Sequence, residues 1–530
     1  MMKRVFAGLN LGVVLSGAAF AQSTATPPAF QIADVHASAR GGNQRMTPGV
    51  LRGERYVVRN ASLLDLIRTA YGIDDRTMFG FDDNSRIVGG PNWLDLDRFD
   101  VIAKAAPATP RDMLKLMLRT LLADRFKLAV HPDTKPLPGF ALAMGKGKPK
   151  LKEADGSGAS GCRSPQPGDP AYFEFVCRNV TMETFAEGLR GMSYSLNNPV
   201  LDSTGLKGAW NFDLKWRGPG TPLTIFDAVE QELGLKLEPQ KIPRPVIVVD
   251  GVNRKPTDNP PGVTTRLPPP PPTEFEVADI KLSAPGANPR NRLQPGGRLD
   301  VQAFTLGMLI NLAWNINNDE MVAGEPKFVD SARFDIIAKA STGPGGPAND
   351  PGIDFDDVRL MLRALLAARF KLATHMEDRP VNAYKLVAAK PKLQKADPSN
   401  RAGCKEGPGA DGKDPRVAAP WLARLVSCQN MAMDQFAEQL PSWAGGYINS
   451  SVVDATGIEG EFDFTLSFSP PGLLQPASQP APGAGAAASD PNGTLSLFDA
   501  LNKLGLKLET EKRPMPVLVI DHVEEKPTDN

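Results

Sequence analysis

Histidine is the side chain best suited to exchanging protons near neutral pH, and the chain has four: His36, His131, His375 and His522. Two of them recur. Arg119–His131 and Arg363–His375 match at ten of thirteen positions, and each segment ends on its histidine. His131 and His375 are therefore the candidates for a catalytic base or a ligand, if a site exists. Neither has a second histidine nearby in sequence or an acid at a fixed spacing, so both read more simply as surface residues where a strand enters a loop. No histidine is followed by glutamate, which excludes the His-Glu-x-x-His zinc motif. The Gly-x-Ser-x-Gly nucleophile turn and the Gly-Lys-Ser/Thr phosphate loop are also missing. No catalytic, cofactor-binding or metal residue is assigned.

Other repeated polar residues have ordinary structural explanations. Asp202 and Asp454 precede a Thr-Gly turn, where a short carboxylate accepts backbone N–H groups. Arg119, Arg125 and Lys127, with Arg363, Arg369 and Lys371, fall at the end of a long helix whose dipole favours positive charge. Tyr71, Trp314 and Trp93 read as packing aromatics rather than ligand-stacking ones.

The elements that position these residues come twice. Phe30–His36 recurs as Phe275–Lys281, Phe99–Ala105 as Phe334–Ala340, Asp202–Gly208 as Asp454–Gly460, and Lys255–Asn259 as Lys526–Asn530, always in the same order. Two homologous units, 30–259 and 275–530, follow. Residues 260–274 form a Pro-rich linker with five consecutive prolines, Pro268 to Pro272, read as a semi-rigid spacer with no apolar face to bury. The second unit carries an insertion at 470–493, whose Pro, Ala, Gly and Ser content predicts disorder.

Within the first unit, strands are expected at Phe30–Ala37, Phe99–Ala105 and Trp210–Trp216. Helices are expected after Asn60 or Ser62, from Thr109 through Leu122, over Thr181–Met192 and over Thr224–Leu233. The second of these has Thr109 as cap and Pro110 at its first position. Leu128–His131 and Phe140–Met144 look like a strand pair, and two closing strands lie around Leu235–Leu237 and Val246–Val252. The fold class is α+β: two mixed units in tandem, each with an antiparallel or mixed sheet and about four helices.

Lys3 and Arg4, the apolar stretch Val5–Phe20 and the small residues Ala19 and Ala21 read as a signal peptide over 1–21, cleaved before Gln22. No later run is apolar enough to span a membrane, so the mature chain is expected to be soluble in the periplasm or outside the cell. That compartment permits disulfides. The cysteines come two per unit, Cys162 with Cys177 and Cys404 with Cys428, neither pair at zinc spacing. One disulfide per unit is expected, stapling a Gly- and Pro-rich loop to the helix after it. Lysine plus arginine and aspartate plus glutamate both number 60, so the net charge of zero argues against a nucleic-acid partner.

The motifs in combination resemble one family. Phe275–Lys281, Gly296–Leu299, Phe334–Ala340, Leu365–Leu372, Asp454–Gly460 and the closing Val517–Asn530 are similar to the soil-associated domain of unknown function found in exported proteins of soil bacteria. The resemblance covers both units, although members normally carry one copy. Some members join the domain to a membrane metallopeptidase similar to BlaR-type antibiotic sensors. This chain has neither that zinc motif nor those membrane helices, so the activity does not carry over. A weaker likeness is to the small N-terminal modules of secretins and TonB-dependent receptors, which bind partners. The family has no established activity or catalytic residues to transfer, and the first of two remaining readings is a non-catalytic binding or interaction module whose partner is a protein or an extracellular ligand. The alternative is an extracytoplasmic hydrolase built around His131 and His375.

Overall fold

The repeated segments build the same elements twice in the computed structural model of the chain. It describes residues 26–38, 46–73, 86–165, 172–193, 196, 198–217, 224–342, 353–407, 415, 419, 422, 424–474 and 494–528. The expected signal peptide, 1–21, lies outside these, as does most of the 470–493 insertion. The first unit opens with β1 (Ile32–Ala37), β2 (Thr47–Arg52), β3 (Arg55–Ser62), α1 (Leu63–Tyr71), β4 (Ile87–Gly89), β5 (Arg98–Lys104) and α2 (Arg111–Phe126). It continues with β6 (Ala129–Met144), β7 (Lys152–Glu153), β8 (Gly161–Arg163), β9 (Tyr172–Val180), α3 (Met182–Leu189), β10 (Val200–Asp202), β11 (Trp210–Arg217), α4 (Ile225–Leu233) and β12 (Leu235–Gly251).

After α5 (Val263–Arg266), the second unit opens with β13 (Val277–Leu282), β14 (Arg290–Gln294), β15 (Arg298–Thr305), α6 (Leu306–Trp314), β16 (Val322–Ala323), β17 (Arg333–Lys339) and α7 (Phe355–Phe370). It closes with β18 (Ala373–Ala388), β19 (Gln394–Lys395), β20 (Gly403–Glu406), β21 (Arg424–Met431), α8 (Met433–Trp443), β22 (Val452–Asp454), β23 (Phe462–Phe468), α9 (Leu497–Lys503) and β24 (Leu506–His522).

Each unit is α+β and has two lobes. In the first unit the sheet β1-β5-β3-β2 makes one lobe with α1 and α2, and β7-β11-β9-β8 makes the other with α3 and α4. The lobes are joined by an antiparallel ribbon, β6 against β12, flanked by short parallel strands β10 and β4. The second unit repeats this with β18 against β24 as its ribbon. Val249 enters the first core at one end of the ribbon, and Leu142 and Leu235 enter the second core at the other.

The ribbons correct the sequence reading. What looked like separate short strands are continuous strands of 16 and 17 residues, prolines included. Pro136 faces Pro243 in the register, so that pair exchanges no backbone hydrogen bond. Pro132 and Pro138 on β6, and Pro239 and Pro245 on β12, lie an even number of residues away. Every proline therefore turns its nitrogen outward, where the ladder needs no donor. Pro380, Pro514 and Pro516 obey the same parity in the second ribbon.

Repeated polar residues are absorbed by this architecture. Asp100 accepts from the Ser38 hydroxyl at 2.6 Å and from the N–H of Asn60, a left-handed residue at a bulge in β3. Asp335 does the same for Ser283 and Ala303. Phe99 meets Phe126 edge to face at 5.0 Å, and Phe334 meets Phe370 at 5.2 Å. Arg119 and Arg363 do not serve their own helix ends. Each donates to a last-turn carbonyl of the neighbouring helix, Ala70 and Ala313, and lies over the ring of Tyr71 or Trp314. Arg125 and Arg369 hold the carbonyls of Thr257 and Thr528, which anchors the repeated closing motif beside the end of the long helix.

Three further expectations change. Ser62, Thr181 and Thr224 cap their helices, but Thr109 does not cap α2: its hydroxyl donates to Ala106 O at 2.6 Å, and Pro110 stands at the cap position. The disulfides Cys162–Cys177 and Cys404–Cys428 are present, yet they join directly opposed residues of β8 with β9 and β20 with β21, not a loop with a helix. The linker is not a free spacer: Val263 is buried, and the Pro268 carbonyl accepts from Arg55.

The proline parity is testable. Lys241→Pro turns its nitrogen outward and should leave the urea midpoint nearly unchanged. Gln240→Pro removes a ladder donor and should cost at least ~1 kcal/mol. Equal costs for the two variants would refute the pattern.

Candidate functional site

The ribbons carry the repeated histidines, and folding supplies the acid that sequence spacing did not reveal. His131 is the third residue of β6, and its Nδ1 lies 2.9 Å from Asp250 Oδ2. His375 is the third residue of β18, 2.9 Å from Asp521 Oδ1. Neither histidine ends its strand, which corrects that placement, and each gains an acidic partner that no fixed spacing in sequence announces. The sequence separations, 119 and 146, differ between the units, which hid the relationship. About half of each imidazole is exposed. A carboxylate on Nδ1 orients the ring and leaves Nε2 to meet a ligand. His36 lies 3.2 Å from Asp34 and 3.8 Å from Asp100, and His522 ends β24 exposed.

The other candidates are structural. Asp202 Oδ1 accepts from the Thr204 N–H and hydroxyl, and Asp454 Oδ1 accepts from the Thr456 N–H, as the turn reading requires. Trp93 faces the Arg254 guanidinium, which is paired with Asp97. Among the described residues, no group of three or more His, Cys, Asp or Glu is placed to hold a metal ion.

Comparing the two copies does not find a further cluster of charge, which among the described residues lies between the units. Asp354 caps α7 by accepting the Asp357 N–H at 2.8 Å, and both carboxylates sit at the positive end of that helix. The first unit's β2–β3 hairpin meets them. Arg52 donates to Asp357 at 3.0 Å and to Ser341 O, while Arg59 donates to Asp354 at 2.8 Å and to Asp357. Thr47 donates to Asp356 at 2.9 Å. Arg52 and Asp357 are both more than nine-tenths buried. Burial raises the Asp354 carboxyl against the attraction of Arg59.

A second contact runs the other way. Arg401 donates to the carbonyls of Ile87 and Gly89 at 2.8 and 2.7 Å, and the Ala402 N–H donates to Asn92 O. Beside it, Asp95 accepts from Ser62, which also caps α1. Burial and the neighbouring Asp65 carboxylate push the Asp95 carboxyl up to about 6, against Arg98, Ser62 and Arg401. These contact residues are only partly shared by the repeats: Asp112 and Asp330 match Asp356 and Asp95, but Pro110 and Met113 stand where Asp354 and Asp357 do in the second copy. The differences between the copies, not their identities, were the available signal.

Two outcomes follow. Because the folded Asp95 carboxyl is raised from 3.8 to about 6, its contribution to stability is lost as pH rises through that window. Asp95→Asn should therefore raise the melting temperature above pH 6, with the gain vanishing below about pH 4. No pH dependence of the difference would refute the assignment. Arg52→Ala leaves buried carboxylates undercompensated and should cost on the order of 3 kcal/mol in urea denaturation. A cost typical of exposed pairs, below about 1 kcal/mol, would contradict the burial.

A family model described as a protein of unknown function, DUF3738, matches residues 64–252 and again residues 307–523. No curated protein and no solved structure matches the chain.

Proposed function

The chain belongs to the DUF3738 family, two copies of whose domain make up most of its length, and on that premise we propose that it is an exported, non-catalytic binding module with two docked units. One observation carries this reading. The repeated polar side chains of the motifs are held in folding roles: Asp100 and Asp335 at bulges, Arg119 and Arg363 on helix ends, Arg125 and Arg369 on the closing segment, Asp202 and Asp454 in turns. The exposed repeated pairs, His131–Asp250 and His375–Asp521, stand on the ribbons where a ligand spanning both units could reach them.

Export is supported by the two disulfides and by the signal-like start, together with the resemblance to exported soil-bacterial proteins. Among the described residues, no helix is long and apolar enough to cross a membrane. The inter-unit bonds alter the picture of two modules on a spacer. A ligand engaging both units would meet a fixed geometry, so its second contact gains from preorganisation as well as from tethering.

The same histidine pairs favour a second reading. An oriented imidazole with a carboxylate on Nδ1 is the base half of a hydrolytic site, and it occurs in both units. The two readings separate by experiment. The full chain is titrated with glycan, peptide and ester panels, with thermal shift and product formation followed together. Binding without product formation, weakened by His131→Gln/His375→Gln, is the expected result. Turnover that this double variant abolishes would establish the hydrolase instead.

A further inference from the structure

We propose that the Cys404–Cys428 disulfide is a redox latch on the contact between the units: oxidised, it holds residues 400–403 against the first unit, and reduced, it releases them. The segment it controls makes the second of the two inter-unit contacts. Arg401 bridges the carbonyls of Ile87 and Gly89 at 2.8 and 2.7 Å, and the buried Ala402 donates its N–H to Asn92 O at 2.9 Å. A Cβ placed on Gly403 would lie 3.7 Å from Asp95 Oδ2, so the backbone runs directly against the first unit. The next residue is Cys404.

Little else holds this segment to its own unit. β20 is an edge strand of four residues, paired only with β21, and Cys404 stands directly opposite Cys428 in that pairing. Ahead of it, the Asn430 side chain donates to Asn400 O at 2.9 Å. A ladder this short is weak without further support, whereas the covalent bond closes a loop between cysteines 24 residues apart and removes the freedom that loop would otherwise have. Cys428 lies in the core among Phe436, Phe464 and Leu466, while Cys404 is only partly buried. The sulfur open to attack is therefore the one next to the docking segment.

The first unit supplies the contrast. Its Cys162–Cys177 disulfide joins β8 to β9 in the same register position. Yet Ala159 and Ser160 stand where the second unit has Arg401 and Ala402, and the Ser160 hydroxyl turns to Asn179 O of its own unit at 2.6 Å. Both bridges staple an edge strand, and one of them also carries an inter-unit contact. Release takes a dithiol reductant. Its thiolate attacks the Cys404 sulfur, the Cys404–Cys428 bond breaks, and Cys428 leaves and takes up a proton. The second thiol of the reductant then displaces Cys404 from the mixed disulfide, so two electrons pass to the protein and the reductant departs as its own disulfide. The latch operates whichever ligand the units bind.

Hydrogen exchange on the full chain, read by mass spectrometry, tests it. In a Cys162→Ser/Cys177→Ser chain the latch is the one remaining disulfide. Dithiothreitol should speed exchange of the peptide spanning 396–404 at least about fivefold, roughly the loss of one ordinary hydrogen bond. Residues 47–59 and the β18–β24 ribbon should keep their protection, and reoxidation should restore the slow rate. Arg401→Ala should speed the same peptide with both disulfides intact. A Cys404→Ser/Cys428→Ser chain should exchange fast there before and after reductant. No change at 396–404 on reduction overturns the latch. Loss of protection throughout the second unit also overturns it, because the bond would then be a staple of the whole fold. A slow peptide in Arg401→Ala would remove that side chain from the contact and overturn the device built on it.

Discussion

Arg52 and Asp357 are removed from water together, in different units of the chain. Within the contact neither charge is tolerable without the other, so losing one partner while the units stay docked would leave a buried charge uncompensated. Arg59, Asp354 and Thr47 extend the match, and Arg401 with Ala402 closes the contact at a second place. The burial of Arg52 and the enclosure of Asp95 beside Arg401 belong to the same contact between the units.

Inside each unit the organising constraint is the long ribbon. It is a bare antiparallel pair along its middle, yet both cores are built on its ends. Proline at every outward-facing nitrogen it occupies keeps the edge from pairing with another chain, and costs the inner ladder nothing. The family motifs make sense around this spine. The aspartate after the repeated phenylalanine ties a bulge, the repeated arginines close helix ends, and the final Lys-Pro-Thr-Asp-Asn segment docks beside the long helix.

How much of this was legible depended on how local the physics is. Ser62, Thr181 and Thr224 announce helices because a cap acts within three residues, and the cysteine pairs announce disulfides because each stands alone in its unit. The ribbons were misread for the opposite reason: proline usually breaks a strand, and only the register shows that Pro136 and Pro243 share one non-bonded site. Asp250 and Asp521 were in view as part of a closing motif, but their partnership with His131 and His375 depends on that same register. The inter-unit cluster was hidden most deeply. Searching for repeats rewards identity, whereas Arg52, Arg59, Asp354 and Asp357 matter because the copies differ there.

Small-angle scattering of the mature chain across a salt series tests the docking most directly. Buried pairs are screened far less than exposed ones, so the expected radius of gyration is that of one body and stays constant from low salt to about 1 M. An expansion with salt, toward two bodies moving on a proline-rich tether, would contradict the account.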